Sequence, residues 1–326
     1  MFTLEEFAVT NAVLVIQGGR LLTERYGGVR EFFDRPPEPI TETSPLLSWS
    51  MAKSMLHFLV GTLVDEGVLN PGELAPVREW SKASDPRHAI RLSDLLAMRD
   101  GLAFVEEYQL GNTSDVIEML FGPGKDDMAG YSAKMALAHE PGTVFHYSSG
   151  TTNILSRIVA DVVGYGDAYR DYISRRLFTP LGMTSAEATL DPTDVFVASS
   201  FVHASAPDFA KFGLLYLRGG EWDGRQLISR LWAQTAQVPL SVDEKSGNFY
   251  SWQWRVTGDQ YGTYWASGYE GQQISVVPAL DALVLRFGHT PEDRYPMIRE
   301  GRSRVLKVLE PQGSRRPRTR SQGRER

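Results

Sequence analysis

The sequence predicts a mixed α/β (α+β) protein in which both ends of the chain build one antiparallel sheet, flanked by helices, with a mostly helical region inserted between its halves. Three observations predict it. Strand-like patterning is confined to residues 11–26 and to the stretch beyond 245. Between about 76 and 235 the apolar residues recur at the three- and four-residue spacing of helices, with Gly and Pro as punctuation. No internal repeat divides the chain, so a single domain over 1–310 is expected, its α/β part at about 1–75 and 236–310 and its helical part at about 76–235.

In chain order, NAVLVIQGGRLLTERY (11–26) reads as a hairpin around Gln-Gly-Gly. The Pro-rich DRPPEPITETSPL that follows is expected to be irregular. SWSMAKSMLHFLVGTLVDEG (48–67) is an amphipathic helix, with Leu56, Leu59, Val60, Leu63 and Val64 forming its buried face and Gly67 ending it. LSDLLAMRDGL has Ser93 as its expected N-cap and Gly101 as its stop. TTNILSRIVADVVG, DAYRDYISRRLFTPLG and DFAKFGLLYLRGG give further helices. NFYSWQWRV, TYWASGYEGQQISVVP and ALVLRFG then read as strands, and PMIREGRSRVLKVLE as a closing helix. Residues 311–326 are Arg-rich, lack apolar anchors and are expected to be a disordered tail.

Composition excludes several functions. The net charge of −6 gives no basic face for nucleic acid. There is no Cys, which rules out disulfides, thiolate metal sites and a Cys nucleophile. No stretch has the length of a transmembrane helix, and the acidic N-terminus does not resemble an export signal. A cytoplasmic protein without membrane or nucleic-acid partners is expected, unless an upstream exported segment has been removed. Oligomeric state is not legible.

Three local constellations carry chemistry. Ser50 and Lys53 lie one helical turn apart at the start of a helix. A Lys whose pKa is lowered by burial can take the proton of a Ser nucleophile. The same pair also fits an N-terminal cap followed by a Lys that snorkels to water. Tyr147 and Ser149, in HEPGTVFHYSSGTTN, are placed on a loop after a short β-like run and just ahead of a helix; Tyr147 suits a proton shuttle, or simply a Tyr packed at a turn. Ser267-Gly268 interrupts a bulky strand, as a β-bulge does or as close backbone approach by a ligand requires.

Ser50-Met51-Ala52-Lys53, Tyr147-Ser148-Ser149 and Ala266-Ser267-Gly268 stand in the order and spacing of the three motifs of the serine β-lactamase and penicillin-binding-protein superfamily. The chain resembles the class C-like branch, which includes esterases, D-amino-acid peptidases and 6-aminohexanoate-dimer hydrolases. LSDLLAMRDGL, LFTPLGM and FAKFGLLYLRGGEWDGRQLIS are similar to connecting segments of that family over most of residues 10–290. The resemblance implies a β-lactamase/transpeptidase-like fold and a serine hydrolase that cleaves a small ester or amide without metal or organic cofactor. It implies Ser50 as nucleophile, Lys53 as its partner and Tyr147 as the shuttle that activates Ser50 and protonates the leaving group. The backbone N–H groups of Ser50 and Tyr269, beside Gly268, would form the oxyanion hole, with Ser149 and Ser267 near the substrate.

Two departures matter. Ser149 replaces the Asn of many relatives, and Ala266 replaces the Lys of the Lys-Thr-Gly found in penicillin-recognising members. Both weaken the hold on a β-lactam or D-Ala substrate. A β-lactamase or D-Ala-type peptidase, and a catalytically weak acyl-binding homologue, are the alternatives. Trp49, Tyr108, Trp252, Trp254, Trp265 and Tyr269 are candidates for an aromatic cleft wall. His146 and His203 would permit a Ser-His-Asp arrangement, which the Lys/Tyr set makes unnecessary.

Overall fold

The computed structural model describes residues 9–30, 36–108 and 113–311. The residues of the expected tail beyond 311 lie outside it. Strands β1 (Val9–Gln17) and β2 (Arg20–Tyr26) form the N-terminal hairpin, turned at Gly18 and Gly19, both of which take positive φ. Helices α1 (Ala52–Asp65), α2 (Ser149–Val163) and α3 (Ala206–Leu217) are the long helices of the middle. The chain returns to the sheet through β3 (Ser241–Asp243), β4 (Asn248–Tyr250), β5 (Arg255–Val256), β6 (Tyr264–Gly268), β7 (Gln272–Val277) and β8 (Ala282–His289), and closes with α4 (Tyr295–Leu309).

The eight strands form one antiparallel sheet in the order β3-β4-β5-β6-β7-β8-β1-β2, so the first hairpin docks on the last long strand, Leu14 opposite Leu285. This is the antiparallel sheet from both termini that the sequence predicts. Helix α3 packs on β7 and β8 over one face. On the other, α4 covers Val13, Val15 and Val284 with Leu306. A second, smaller apolar cluster around Met119, Met128 and Phe104 supports the loop that precedes the site.

Helix α1 departs from the one-sided burial that its pattern predicts: residues 52–63 are all buried. Its polar side chains are satisfied inside the protein, as burial demands. His57 bonds through its two ring nitrogens to the Tyr216 hydroxyl (2.6 Å) and Thr235 Oγ1 (2.9 Å), and Ser54 donates to the Gln253 carbonyl at 2.8 Å. Gln253 also explains why NFYSWQWRV is two short strands, β4 and β5, and not one. Its φ is +57°, and its side chain reaches away to the Leu95 and Leu96 carbonyls (3.2 and 3.1 Å) and to Thr152 Oγ1 (3.0 Å), so the ladder is interrupted to tie the sheet to two helices.

Local expectations around 92–101 and 143–149 need correction. The short helix Leu92–Leu96 is capped by Arg91, whose N–H donates to Asp94 Oδ2 at 2.8 Å, and Ser93 lies inside it. It ends five residues before Gly101, where Met98 takes a φ of +55°. TVFHY forms no strand; it is held instead by single contacts such as the His146 N–H to the Met98 carbonyl. Glu38-Pro39 in the Pro-rich connection pairs briefly with Val29-Arg30.

Candidate active site

Ser50 sits in a one-turn 3₁₀ segment, Trp49–Met51, that leads directly into α1. The residue before it, Trp49, has a φ of +44°, a left-handed backbone that a bulky side chain adopts only where its surroundings impose it. Its ring is pinned edge-on against Tyr269 (5.7 Å between centroids) and against Phe201 (6.1 Å). The strained turn lifts Ser50 from the buried helix to the floor of a cleft of about 750 Å³.

One turn on, Lys53 is 1% exposed. Its ammonium nitrogen has three oxygen neighbours: Ser50 Oγ at 3.1 Å, Ser149 Oγ at 3.0 Å and the Ser199 carbonyl at 2.9 Å. Burial brings its pKa down to about 8; Glu106 pulls it up and Arg255 adds to the lowering. The snorkelling alternative is therefore excluded, because Nζ points inward onto Ser50. Tyr147 is half-buried in the cleft wall, its ring 5.0 Å from Lys53 Nζ, and it lines the cleft together with Ser50. Burial and the Glu106 carboxylate push its pKa above the usual tyrosine value, so the phenol keeps its proton at rest.

Residue 149 is not on the loop. Ser148 is the N-cap of α2, accepting from Thr151 N at 3.0 Å, and Ser149 opens the helix. Ser149 is buried behind Lys53, where its N–H and Oγ both donate to Glu106, at 2.8 and 2.7 Å. The third motif meets the first at the C-terminal end of β6, which packs on the 3₁₀ segment Trp49–Met51. Gly268 is required there: a Cβ on it would stand 2.4 Å from the Ser48 carbonyl oxygen. Close approach therefore explains this Gly, and what it approaches is the backbone two residues before the nucleophile.

Ser267, Gly268, Tyr269 and Tyr108 line the cleft, and the Tyr108 and Tyr269 rings stack at 4.9 Å. The other aromatic candidates do not. Trp265 is buried under Arg302 of α4 (4.5 Å from Cζ to ring), Trp254 packs on Tyr216 and Phe212, and Trp252 packs on Trp232. Strand alternation sends Trp265 to the face that α4 covers, opposite its neighbour Ala266. His146 Nε2 lies 2.6 Å from the Phe104 carbonyl, and His203 lies on a short strand opposite Leu47. Among the described residues, no group of His, Asp or Glu is arranged to hold a metal ion.

A family model described as Beta-lactamase matches residues 8–295. The chain belongs to the Beta-lactamase family. The 6-aminohexanoate-dimer hydrolase of Paenarthrobacter ureafaciens is 26% identical over 307 residues, covering 88% of this chain and 74% of that protein. Two solved structures have the same fold: a penicillin binding protein from Bacillus halodurans (TM-score 0.73, 15% identity, 92% of this chain and 98% of that one) and a class C beta lactamase from Rhodobacter sphaeroides (TM-score 0.69, 18% identity, 94% and 97%).

Within this Beta-lactamase-family site, several groups escape sequence reasoning. Glu106 accepts from the Tyr108 hydroxyl (2.5 Å) as well as from Ser149, and so joins the cleft wall to the lysine. The loop that carries it is anchored by Asp100, which bonds to Leu102 N (2.8 Å) and to Thr151 Oγ1 (2.5 Å) on α2. Arg255 of β5 holds its guanidinium 5.2 Å from the Tyr147 ring centre and pairs with Asp243 of β3 at 2.6 Å. The Glu-Glu-Tyr beside a helix-rich segment was the only hint of Glu106. No local pattern pointed to Arg255 or Asp243, because two different strands bring them to the loop that carries Tyr147.

Proposed function

We propose that the protein is a serine hydrolase that cleaves a small ester or amide through an acyl-enzyme on Ser50. The observation that carries this reading is the inward-facing Lys53, its Nζ 3.1 Å from Ser50 Oγ and its pKa brought to about 8 by burial. With that shift, on the order of one lysine in ten is a free base at pH 7; an unshifted lysine would offer fewer than one in a thousand.

Neutral Lys53 accepts the Ser50 hydroxyl proton as Oγ bonds to the substrate carbonyl carbon. Negative charge builds on the carbonyl oxygen, which backbone N–H groups at Ser50 and Tyr269 are suited to receive. Tyr147, protonated at rest and lining the cleft beside Ser50, gives its proton to the departing oxygen or nitrogen as the carbon–leaving-group bond breaks. The Lys53 ammonium then reprotonates Tyr147. Water repeats the sequence on the acyl-enzyme, losing one proton to the pair, and releases the acid and free Ser50.

The similarity to a 6-aminohexanoate-dimer hydrolase favours an uncyclised amide over a β-lactam. The absence of a cation at Ala266 points the same way. The test is p-nitrophenyl butyrate hydrolysis by wild type and Ser50→Ala, with intact mass recorded at steady state. Expected is loss of turnover in the variant and a transient butyryl adduct on wild type. Turnover that survives in Ser50→Ala would sink the reading.

A further inference from the structure

Two cations stand against the Tyr147 ring, one from α1 and one from β5. Lys53 Nζ of α1 stands 5.0 Å from its ring centre, and Arg255 Cζ of β5 stands 5.2 Å from it. Arg255 also lies 5.8 Å from the ring of Tyr250, which meets Tyr147 edge-on at 5.9 Å. The guanidinium is fixed by Asp243 Oδ2 at 2.6 Å, and Ser246 Oγ stands 3.4 Å from the same nitrogen. Ser246 Oγ in turn donates to Asp243 at 2.7 Å. Ala266, where a cation would stand in a Lys-Thr-Gly motif, is buried and apolar, one position along β6 from Trp265, the register partner of Arg255.

We propose that Arg255 is a positioning residue of the proton relay: reaching from β5, it supplies beside Tyr147 the second positive charge that Ala266 cannot, and Asp243 both holds it in place and limits its field. The proposal rests on the Ser50 acyl-enzyme reading above. Its physical content is electrostatic. A fixed guanidinium at this distance favours the phenolate of Tyr147 and the neutral amine of Lys53, the two charge states reached when the pair loses a proton. The opposing charges are Glu106, bonded to Ser149 behind Lys53, and Asp243 itself, both of which favour the protonated pair. Arg99, His146, Glu244 and the Lys245–Glu292 ion pair (3.1 Å) line the same cleft.

A purely structural Arg255–Asp243 pair and an electrostatic one make different predictions. If the pair only braces β3 against β5, breaking it from either side costs activity in the same way. If Arg255 acts through its charge, the two partners have opposite signs of effect. The assay is the pH dependence of kcat/KM for p-nitrophenyl butyrate in wild type, Arg255→Met, Arg255→Lys, Asp243→Asn and Ser50→Ala. The rising limb, which reports loss of one proton from the Lys53/Tyr147 pair, is expected to move up by about one pH unit in Arg255→Met. It should move down in Asp243→Asn, where the guanidinium is no longer countered, and return close to wild type in Arg255→Lys. Limbs that do not move, or that move in the same direction in Arg255→Met and Asp243→Asn, overturn the proposal while leaving the hydrolase reading intact. Should Arg255→Met fail to fold, the downward shift in Asp243→Asn and the wild-type limb of Arg255→Lys carry the same decision. Turnover retained by Ser50→Ala removes the reaction itself, and the proposal with it.

Discussion

Replacing Glu106 by Gln should make the site work at lower pH. The carboxylate accepts from Ser149 Oγ at 2.7 Å, and Ser149 Oγ accepts from Lys53 Nζ at 3.0 Å. Glu106 Oε1 therefore lies no more than about 6 Å from the lysine nitrogen. Across that distance, with the effective dielectric of about 20 that suits protein sites, a carboxylate stabilises an ammonium by about 3 kcal/mol, or roughly 2 pH units. Solvent in the cleft screens part of it, which leaves an expected shift of about 1–2 units. Glu106 raises the pKa of both Lys53 and Tyr147, so its neutralisation lowers both, and the rising limb of kcat/KM moves from near pH 8 to lower pH. Gln keeps an acceptor for the Ser149 N–H, so the helix start that Glu106 bonds should survive. The assay is a pH series of p-nitrophenyl butyrate hydrolysis with thermal unfolding recorded alongside. A limb that stays in place, or rises, in a folded variant would refute the electrostatic role assigned to Glu106.

Two further predictions concern the buried lysine and the third motif. Lys53 falls from 10.5 to about 8 on folding, so between those values the unfolded chain carries the extra proton and stability rises with pH. Against Lys53→Met, which removes this titration, wild type should gain on the order of 3 kcal/mol as pH goes from below 8 to above 10.5; urea midpoints of both proteins at pH 7.5 and 10, each about half a unit below one of those two values, should show most of it, and parallel slopes would contradict it. Gly268→Ala would place a Cβ 2.4 Å from the Ser48 carbonyl oxygen, a backbone atom that cannot retreat without moving Ser50. A loss of about 1–3 kcal/mol in urea unfolding is expected, with a fall in kcat/KM greater than that of Ser267→Ala; a variant as active as wild type would show that the approach is not needed.

The sheet was legible because its evidence is local in each piece: short apolar runs bounded by Gly, Asp and Pro in β1 and in β6 to β8 leave little else for those segments to be. Helix α1 was legible as a helix but not in its environment. Its pattern suggests one dry face, whereas His57 and Ser54 are buried with partners from residues 216, 235 and 253, which no reading of 48–67 could supply. The same division runs through the site. Ser50 and Lys53 are three residues apart on one turn, so their contact follows from helical spacing, and Tyr147 joins them through the family resemblance. Glu106, Arg255, Asp243 and the Ser199 carbonyl meet only in the folded chain. Trp265 was misplaced for a simple reason: nearness to a motif in sequence does not say which face of a strand a side chain takes, and alternation puts it opposite its neighbour.

The position of β3 at the end of the sheet order has a consequence for how such a catalyst can change its diet. Leu240 to Lys245 form one wall of the cleft, yet among the described residues β3 has a hydrogen-bonded neighbour, β4, on one side only. An insertion or a new sequence there breaks no second ladder, whereas a change at Ser50 or Lys53 disturbs a helix enclosed on every side. On the proposed reading, substrate choice is set on the border of the fold and bond cleavage in its interior, and Asp243, through its pair with Arg255, is where a change at the border reaches the relay.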